Sequence, residues 1–426
     1  MSVEKTEVLV IGGGQAGLAV SEHLGNAGIE HLVLEKDRIA ERWRSHRWDS
    51  LVANGPAWHD RFPTLEFEDY EPGDFVPKEK VADYFVKFAE HINSPIRCGV
   101  EVKQVTKNEG GPGFVAETSD GVIEARYVVS ATGPFQQPVI PAVVPDDAGV
   151  EQMHSTGYRN PDQLPEGAVL VVGAGSSGVQ IATELMRAGK KVYLSVGPHD
   201  RPPRSYRGRD FVWWLGVLGL WDMATPEQGK EHVTIAVTGA YGGYTIDFKQ
   251  LAADGMTLVG RTESYENGKM VFGDDLAQNV ADGDANYLSV LDQADAYIER
   301  NGLDLPEEPE AREMLGLPDC VTNPLSDLDL KEAGVSSIIW ATGFKTDFSW
   351  LKVNALDENG NPRHLRGVSS EPGVYFVGLP WLSRRGSTFI WGVWHDAKYL
   401  ADHIATQQGY LKHHKAHPPE TNVAAE

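Results

Sequence analysis

"VVGAGSSGVQIATEL", Val171 to Leu185, joins an apolar strand to a helix through Gly173-x-Gly175-x-x-Gly178. The chain carries the same arrangement near its start. There "VLVIGGGQAGLAVSEHL", Val8 to Leu24, contains Gly12-x-Gly14-x-x-Gly17. In such a loop the first glycine permits a tight turn. The second lets the backbone approach a pyrophosphate, and the third lets helix and strand pack closely. The phosphates then meet free N–H groups in the first helical turn. Those turns begin at Gln15 and Ala16 in one copy and at Ser176 and Ser177 in the other. Two copies predict an α/β fold with two Rossmann-like dinucleotide-binding domains.

The strands that follow the two loops end differently. "HLVLE" ends in Glu35, with Lys36 beside it. It stands about 20 residues past the middle glycine, where a carboxylate accepts from a ribose hydroxyl. "KVYLSV" places Ser195 and Val196 at the equivalent positions, with no acid. His199, Arg201, Arg204 and Arg207 follow. A 2′-phosphate repels a carboxylate and is held well by guanidinium and hydroxyl groups. The first loop therefore reads as a site for FAD or NAD, and the second as a site for NADPH through Ser195, Arg201 and Arg204. Two loops of different ribose preference point to two cofactors held together, FAD reduced by hydride from NADPH.

Composition narrows the setting. The 426 residues carry a formal net charge of −23, which argues against nucleic-acid binding. The longest apolar run, "FVWWLGVLGLW" from Phe211 to Trp221, is too short to span a membrane. No secretory leader pattern precedes the first strand. Cys98 and Cys320 are the only cysteines, so there is no Cys-x-x-Cys redox pair. A reducing, cytoplasmic setting is expected. A homodimer is the default oligomer.

Two further strands end alike, in Ala131-Thr132-Gly133 and Ala341-Thr342-Gly343. Such small, tight ends let a chain pass close to a cofactor. Near the C-terminus "GVYFVGLPW" turns at Gly378, and "GSTFIWGVWHDAKYLADHI" predicts a long helix capped by Ser387 or Thr388. The expected layout is a split FAD domain, residues 1–150 and 325–405, around an NADPH domain at 165–324. The polar segment 406–426 is expected to be a flexible tail. The tryptophans of the apolar run, Trp213 and Trp214, are candidates for the wall of a substrate site. An ordinary buried helix and a subunit-contact patch are the competing readings of that run.

Together with the two loops and both Ala-Thr-Gly turns, "ERWRSHRWDSLVANGPAWHDRFP" (Glu41 to Pro63) resembles class B flavoprotein monooxygenases. "RPPRSYRGRDFVWWL" and "GLPWLSRRGSTFIWGVWHDA" are similar to a bacterial branch, the CzcO-like flavoproteins. The resemblance implies that Arg42, Trp43, Arg44 and Trp48 line the FAD. It also implies that Asn54 acts beside the flavin. Such enzymes form a C4a-(hydro)peroxyflavin with O2 and pass one oxygen atom to a small organic substrate, here largely apolar or aromatic. One fingerprint departs: His154 and Tyr158 fit its second half, but Ala148 and Val150 stand where phenylalanine and glycine belong. N- or S-oxygenation, ring hydroxylation and Baeyer–Villiger chemistry all stay open. The competing functions are an NADPH-dependent flavin reductase or oxidase that releases hydrogen peroxide, and a non-catalytic redox-sensing flavoprotein.

Overall fold

The structure is a computed structural model that describes residues 3–224 and 234–417. It is organised by two sheets, each built around one glycine loop. In the first, strand β1 (Glu4–Ile11) leads into helix α1 (Gln15–Asn26), then strands β2 (His31–Glu35), β3 (Ile96–Cys98) and β4 (Gly121–Ser130). In the second, strand β5 (Glu151–His154) precedes β6 (Ala168–Val172), helix α2 (Ser176–Arg187) and β7 (Val192–Ser195). Next come helix α3 (Phe211–Val217), β8 (Thr257–Val259), helix α4 (Leu276–Asn301) and β9 (Val335–Trp340). Strand β10 (Val374–Phe376) and helix α5 (Ile390–Ala416) return to the first sheet.

The second sheet has five strands in the order β8-β7-β6-β9-β5, all parallel. The first contains the run β10-β4-β1-β2-β3, also parallel, within nine strands. Strands buried on both faces need continuous apolar runs. Val8, Leu9 and Val10 of β1 and Val169, Leu170 and Val171 of β6 supply them, all fully buried.

In each sheet the glycine-loop strand lies at the point where strand order reverses, with β4 beside β1 and β9 beside β6. Ligands bind at such switch points, off the carboxyl ends of the strands. Ala131-Thr132-Gly133 follows β4, and Ala341-Thr342-Gly343 follows β9. Each repeated turn is therefore the second lip of its own crevice. Register fixes this: Ile338 pairs with Leu170 and Trp340 with Val172.

That pairing moves a domain boundary. The segment from 325 does not rejoin the FAD unit, because β9 completes the second sheet. So does β5, which begins at Glu151. The first unit resumes later, with Leu351 bridged to Val105 and β10 paired to β4. A hairpin beside the second sheet pairs Thr262–Glu266 with Lys269–Phe272.

Two C-terminal expectations also change. Phe389 holds the N-cap position of α5, with no side-chain cap. Ser387 Oγ instead accepts the N–H groups of Ser383 and Arg384 in the preceding turn. The helix itself continues through the first part of the expected tail, to Ala416. Residues 418–426 lie outside the described residues. Helix α5 packs on α1, where Trp394 Nε1 donates to Glu22 Oε2 at 2.5 Å.

Candidate active site

Both glycine loops open into one continuous cleft of about 1260 Å³. Gly12 and Gly173 have φ of +114° and +106°, which glycine alone adopts without strain. A Cβ on Gly12 would lie 2.5 Å from the Ala131 carbonyl oxygen, and one on Gly173 would lie 2.6 Å from that of Ala341. The third glycines, Gly17 and Gly178, hold the helices against Gly12 and Gly173 in the same way. Gly14 differs. A Cβ there meets nothing within 4 Å, because the position faces the cleft.

The helices α1 and α2 begin at Gly14 and Gly175, with no side-chain cap and no acid in the first turn. Uncapped N–H groups and the positive end of the helix dipole suit an anion. Glu35 reaches the cleft, its Oε2 accepting the Gly13 N–H at 2.6 Å and its Oε1 that of Asp37 at 2.9 Å. These are the groups a dinucleotide needs: open glycine, free donors, and a carboxylate one strand away.

Most of the predicted residues converge here. Gln15, Ala16, Lys36, Arg42, Trp43, Trp48, Asn54, Thr132, Gly133 and Gly378 line the cleft around the first loop. Ser176, Ser177, Ser195, Thr342 and Gly343 line it around the second. Arg47 joins them although its role was not singled out. Burial, and next the charge of Arg42, pulls its guanidinium down to about 10. Among the described residues, Arg42 and Arg47 line the cleft without a salt bridge to a carboxylate.

Besides Gly17, which packs under the loop, five predicted residues lie outside the cleft lining. Arg44 turns out of the cleft and pairs with Asp83 at 3.2 Å. Arg201 is buried, with Nη2 at 2.5 Å from Asp284 Oδ1 and its charge plane over the Tyr287 ring. Arg204 is buried too, held by Asp210 at 2.5 Å. Both arginines are neutralised by carboxylates, which leaves no charge for a phosphate. Arg261, just past the end of β8, is exposed at the rim of the cleft, beside Ser195. Ser195 Oγ donates to the Gly260 carbonyl and accepts the Thr262 N–H, which fixes the corner. The missing signal was distance in sequence, since only the fold brings residue 261 beside 195.

Trp213 and Trp214 are corrected by helical phase. Residues 211, 212 and 215 share one face of α3 and line the cleft, whereas 213 and 214 face away. Trp214 is fully buried, its Nε1 donating to the Tyr206 carbonyl at 3.0 Å and its ring against Tyr297. Trp221, at the end of the same run, does line the cleft. His154 ends strand β5 and is buried, its Nε2 3.0 Å from the Gly343 carbonyl oxygen. Tyr158 donates to Glu184 at 2.7 Å, and neither residue reaches the cleft.

A family model for pyridine nucleotide-disulphide oxidoreductases matches residues 9–207. The CzcO-like oxidoreductase of Geobacillus kaustophilus is 34% identical over 402 residues, covering 93% of this chain and 98% of that protein. The chain belongs to the CzcO-like oxidoreductases, a flavin-containing-monooxygenase-like family. Arabidopsis thaliana YUCCA1, a probable indole-3-pyruvate monooxygenase, is 29% identical over 94% of this chain and 89% of its own. The flavin-containing monooxygenase of Stenotrophomonas maltophilia shares the fold at a TM-score of 0.65 and 18% identity, over 95% of this chain and 100% of that one. Neither Cys98 nor Cys320 of this CzcO-like chain lines the cleft, so a disulfide-exchanging pair is absent from it. No helix among the described residues is long and apolar enough to cross a membrane.

Proposed function

We propose that the protein is a monooxygenase that holds FAD on the first glycine loop and NADPH on the second. It passes one atom of O2 to a small, largely apolar or aromatic substrate. The observation that carries this reading is the single cleft shared by both loops, with Asn54 on its wall and the apolar face of α3 closing one side. The bound cofactors supply hydride and oxygen activation.

The protein's own work is binding, orientation and exclusion of water. The N-termini of α1 and α2 receive the two pyrophosphates. Glu35 accepts from the ribose of FAD, and Arg42 and Arg47 balance its phosphate charge. Ser195 carries no charge to repel a 2′-phosphate, and Arg261 attracts one. Phe211, Val212, Leu215 and Trp221 keep water from the reacting region and favour a flat or aliphatic substrate. Asn54 donates from its side-chain amide to an oxygen that gathers negative charge.

Measuring NADPH consumption, hydrogen peroxide release and oxygenated product in one reaction mixture tests this. A substrate that diverts oxygen from peroxide into product supports it. Release of all consumed oxygen as hydrogen peroxide across apolar amines, sulfides, ketones and aromatics would make the protein an oxidase.

A further inference from the structure

We propose that Gln180 is a positioning residue that decides which atom of Asn54 faces the cofactor cleft. The proposal rests on the reading of Asn54 given above. Gln180 lies on α2, one turn beyond the residues that begin at Gly175, and is 7% exposed. Its side-chain nitrogen is 2.8 Å from the Val237 carbonyl oxygen. A backbone carbonyl only accepts, so this end of Gln180 is its NH2 group. The same NH2 is 3.0 Å from the side chain of Asn54. The Asn54 atom there must accept, and is therefore Oδ1. Its NH2 group is turned to the other side. A fixed backbone acceptor, the Val237 carbonyl, thus sets the polarity of an amide on a distant loop, through a single side chain.

The main chain of Asn54 is pinned as well. Arg204 Nη1 donates to its carbonyl at 2.7 Å, and Asp210 holds Arg204 from behind. The next residue, Gly55, donates its N–H to Asp60 Oδ2 at 2.9 Å. Arg204, first read as a phosphate ligand, thus belongs to the same positioning set. Gln180 and Arg204 both come from the second unit, whereas Asn54 comes from the first. The orientation of Asn54 is set by how the second unit docks. The helix whose first turn faces a dinucleotide carries the residue that orients Asn54 in its second. The cleft consequently meets a hydrogen-bond donor at Asn54, the polarity suited to an oxygen bearing negative charge.

Gln180→Glu tests this. A carboxylate cannot donate to Val237, and it accepts from the Asn54 NH2, which turns Oδ1 towards the cleft. In the FAD-loaded protein, with an apolar substrate that the parent oxygenates in the coupling assay above, the ratio of hydrogen peroxide to oxygenated product is expected to rise roughly tenfold or more. NADP⁺ titration is expected to perturb the flavin absorbance differently from the parent protein. In an Asn54→Ala background the same substitution is expected to add nothing further, because it acts through that amide. If Gln180→Glu fails to fold, Gln180→Met removes the donor at similar volume and is expected to uncouple in the same direction. Asn54→Ala that uncouples while Gln180→Glu and Gln180→Met do not would overturn the proposal. Additive effects in the double variant would overturn it too. Asn54→Ala with parental coupling would instead remove the role given to Asn54 itself.

Discussion

Asp284 closes on Arg201 inside the second unit: one carboxylate oxygen lies 2.9 Å from Nε and 2.5 Å from Nη2, and the other receives Lys249 at 2.7 Å. Arg201 is only 2% exposed. An ion pair this deep is costly to break from one side, because the remaining charge stays buried. Arg201→Ala is therefore expected to lower stability by about 3–5 kcal/mol. The ratio of NADPH to NADH use should stay as in the parent. Chemical denaturation and paired kinetics check both halves.

Arg261→Ala should do the reverse. Its guanidinium is exposed at the rim, so stability should barely move. Loss of a charge-assisted contact to a 2′-phosphate is worth about 1.5–3 kcal/mol, more than tenfold in affinity. Binding of 2′,5′-ADP should weaken by that factor and binding of 5′-AMP should not. Equal losses for both ligands would remove the assignment.

The two arginine positions mark where sequence reasoning stopped. Glycine loops are legible because strand, turn, helix and acid lie within one local span. Glu35 reaches the cleft for that reason. Arg201 finds Asp284, 83 positions on, only after α4 has packed. Arg204 finds Asp210 six residues on, across the short hairpin that pairs Ser205 with Asp210, and a run of arginines does not reveal such a turn. The Ala-Thr-Gly repeat was visible as a pattern, but its meaning required strand order, since each copy closes the switch point of a different sheet. Trp213 and Trp214 were a question of phase. Composition picked out the right helix, and only its docking showed that 211, 212 and 215 face inward to the cleft.

Gly14 and Gly17 should fail differently when each is changed to valine. At Gly14 the added side chain projects into open cleft, so the protein should fold and elute colourless. At Gly17 it would collide with the Gly12 backbone and push α1 off β1. That variant should be insoluble or unfolded. Circular dichroism with flavin absorbance separates the two outcomes, and a yellow Gly14→Val would move the FAD site elsewhere.

Trp214→Ala and Trp221→Ala should likewise diverge. Trp214 is a fully buried core residue, and its truncation should cost about 3–5 kcal/mol with substrate KM unchanged in the folded fraction. Trp221 touches the cleft, and its truncation should raise the KM of an apolar substrate. A higher KM from Trp214→Ala alone would restore the earlier assignment.

Stability should fall on mild acidification, before most carboxylates titrate. His23, His31, His154, His199 and His364 are all held below the usual histidine value, in each case mainly by burial. His199 shows why. It is 3% exposed, its ring packs 4.2 Å from that of Phe248, and its Nε2 is buried without a partner. A charged ring there would be badly solvated. The unfolded chain binds protons at these positions from about pH 6.5 downward, whereas the folded chain does not. The stabilising contribution is thus complete above pH 6.5 and is lost as pH falls towards the lowered folded-state values. Each such histidine adds up to about 1.4 kcal/mol per pH unit to that slope. Unfolding free energy should accordingly be flat between about pH 7 and 8 and decline steadily below about pH 6.5. His199→Phe keeps a flat ring against Phe248 and removes one titrating group, so its decline should be measurably shallower. A variant with the parental slope would mean that His199 is charged or exposed in the folded protein.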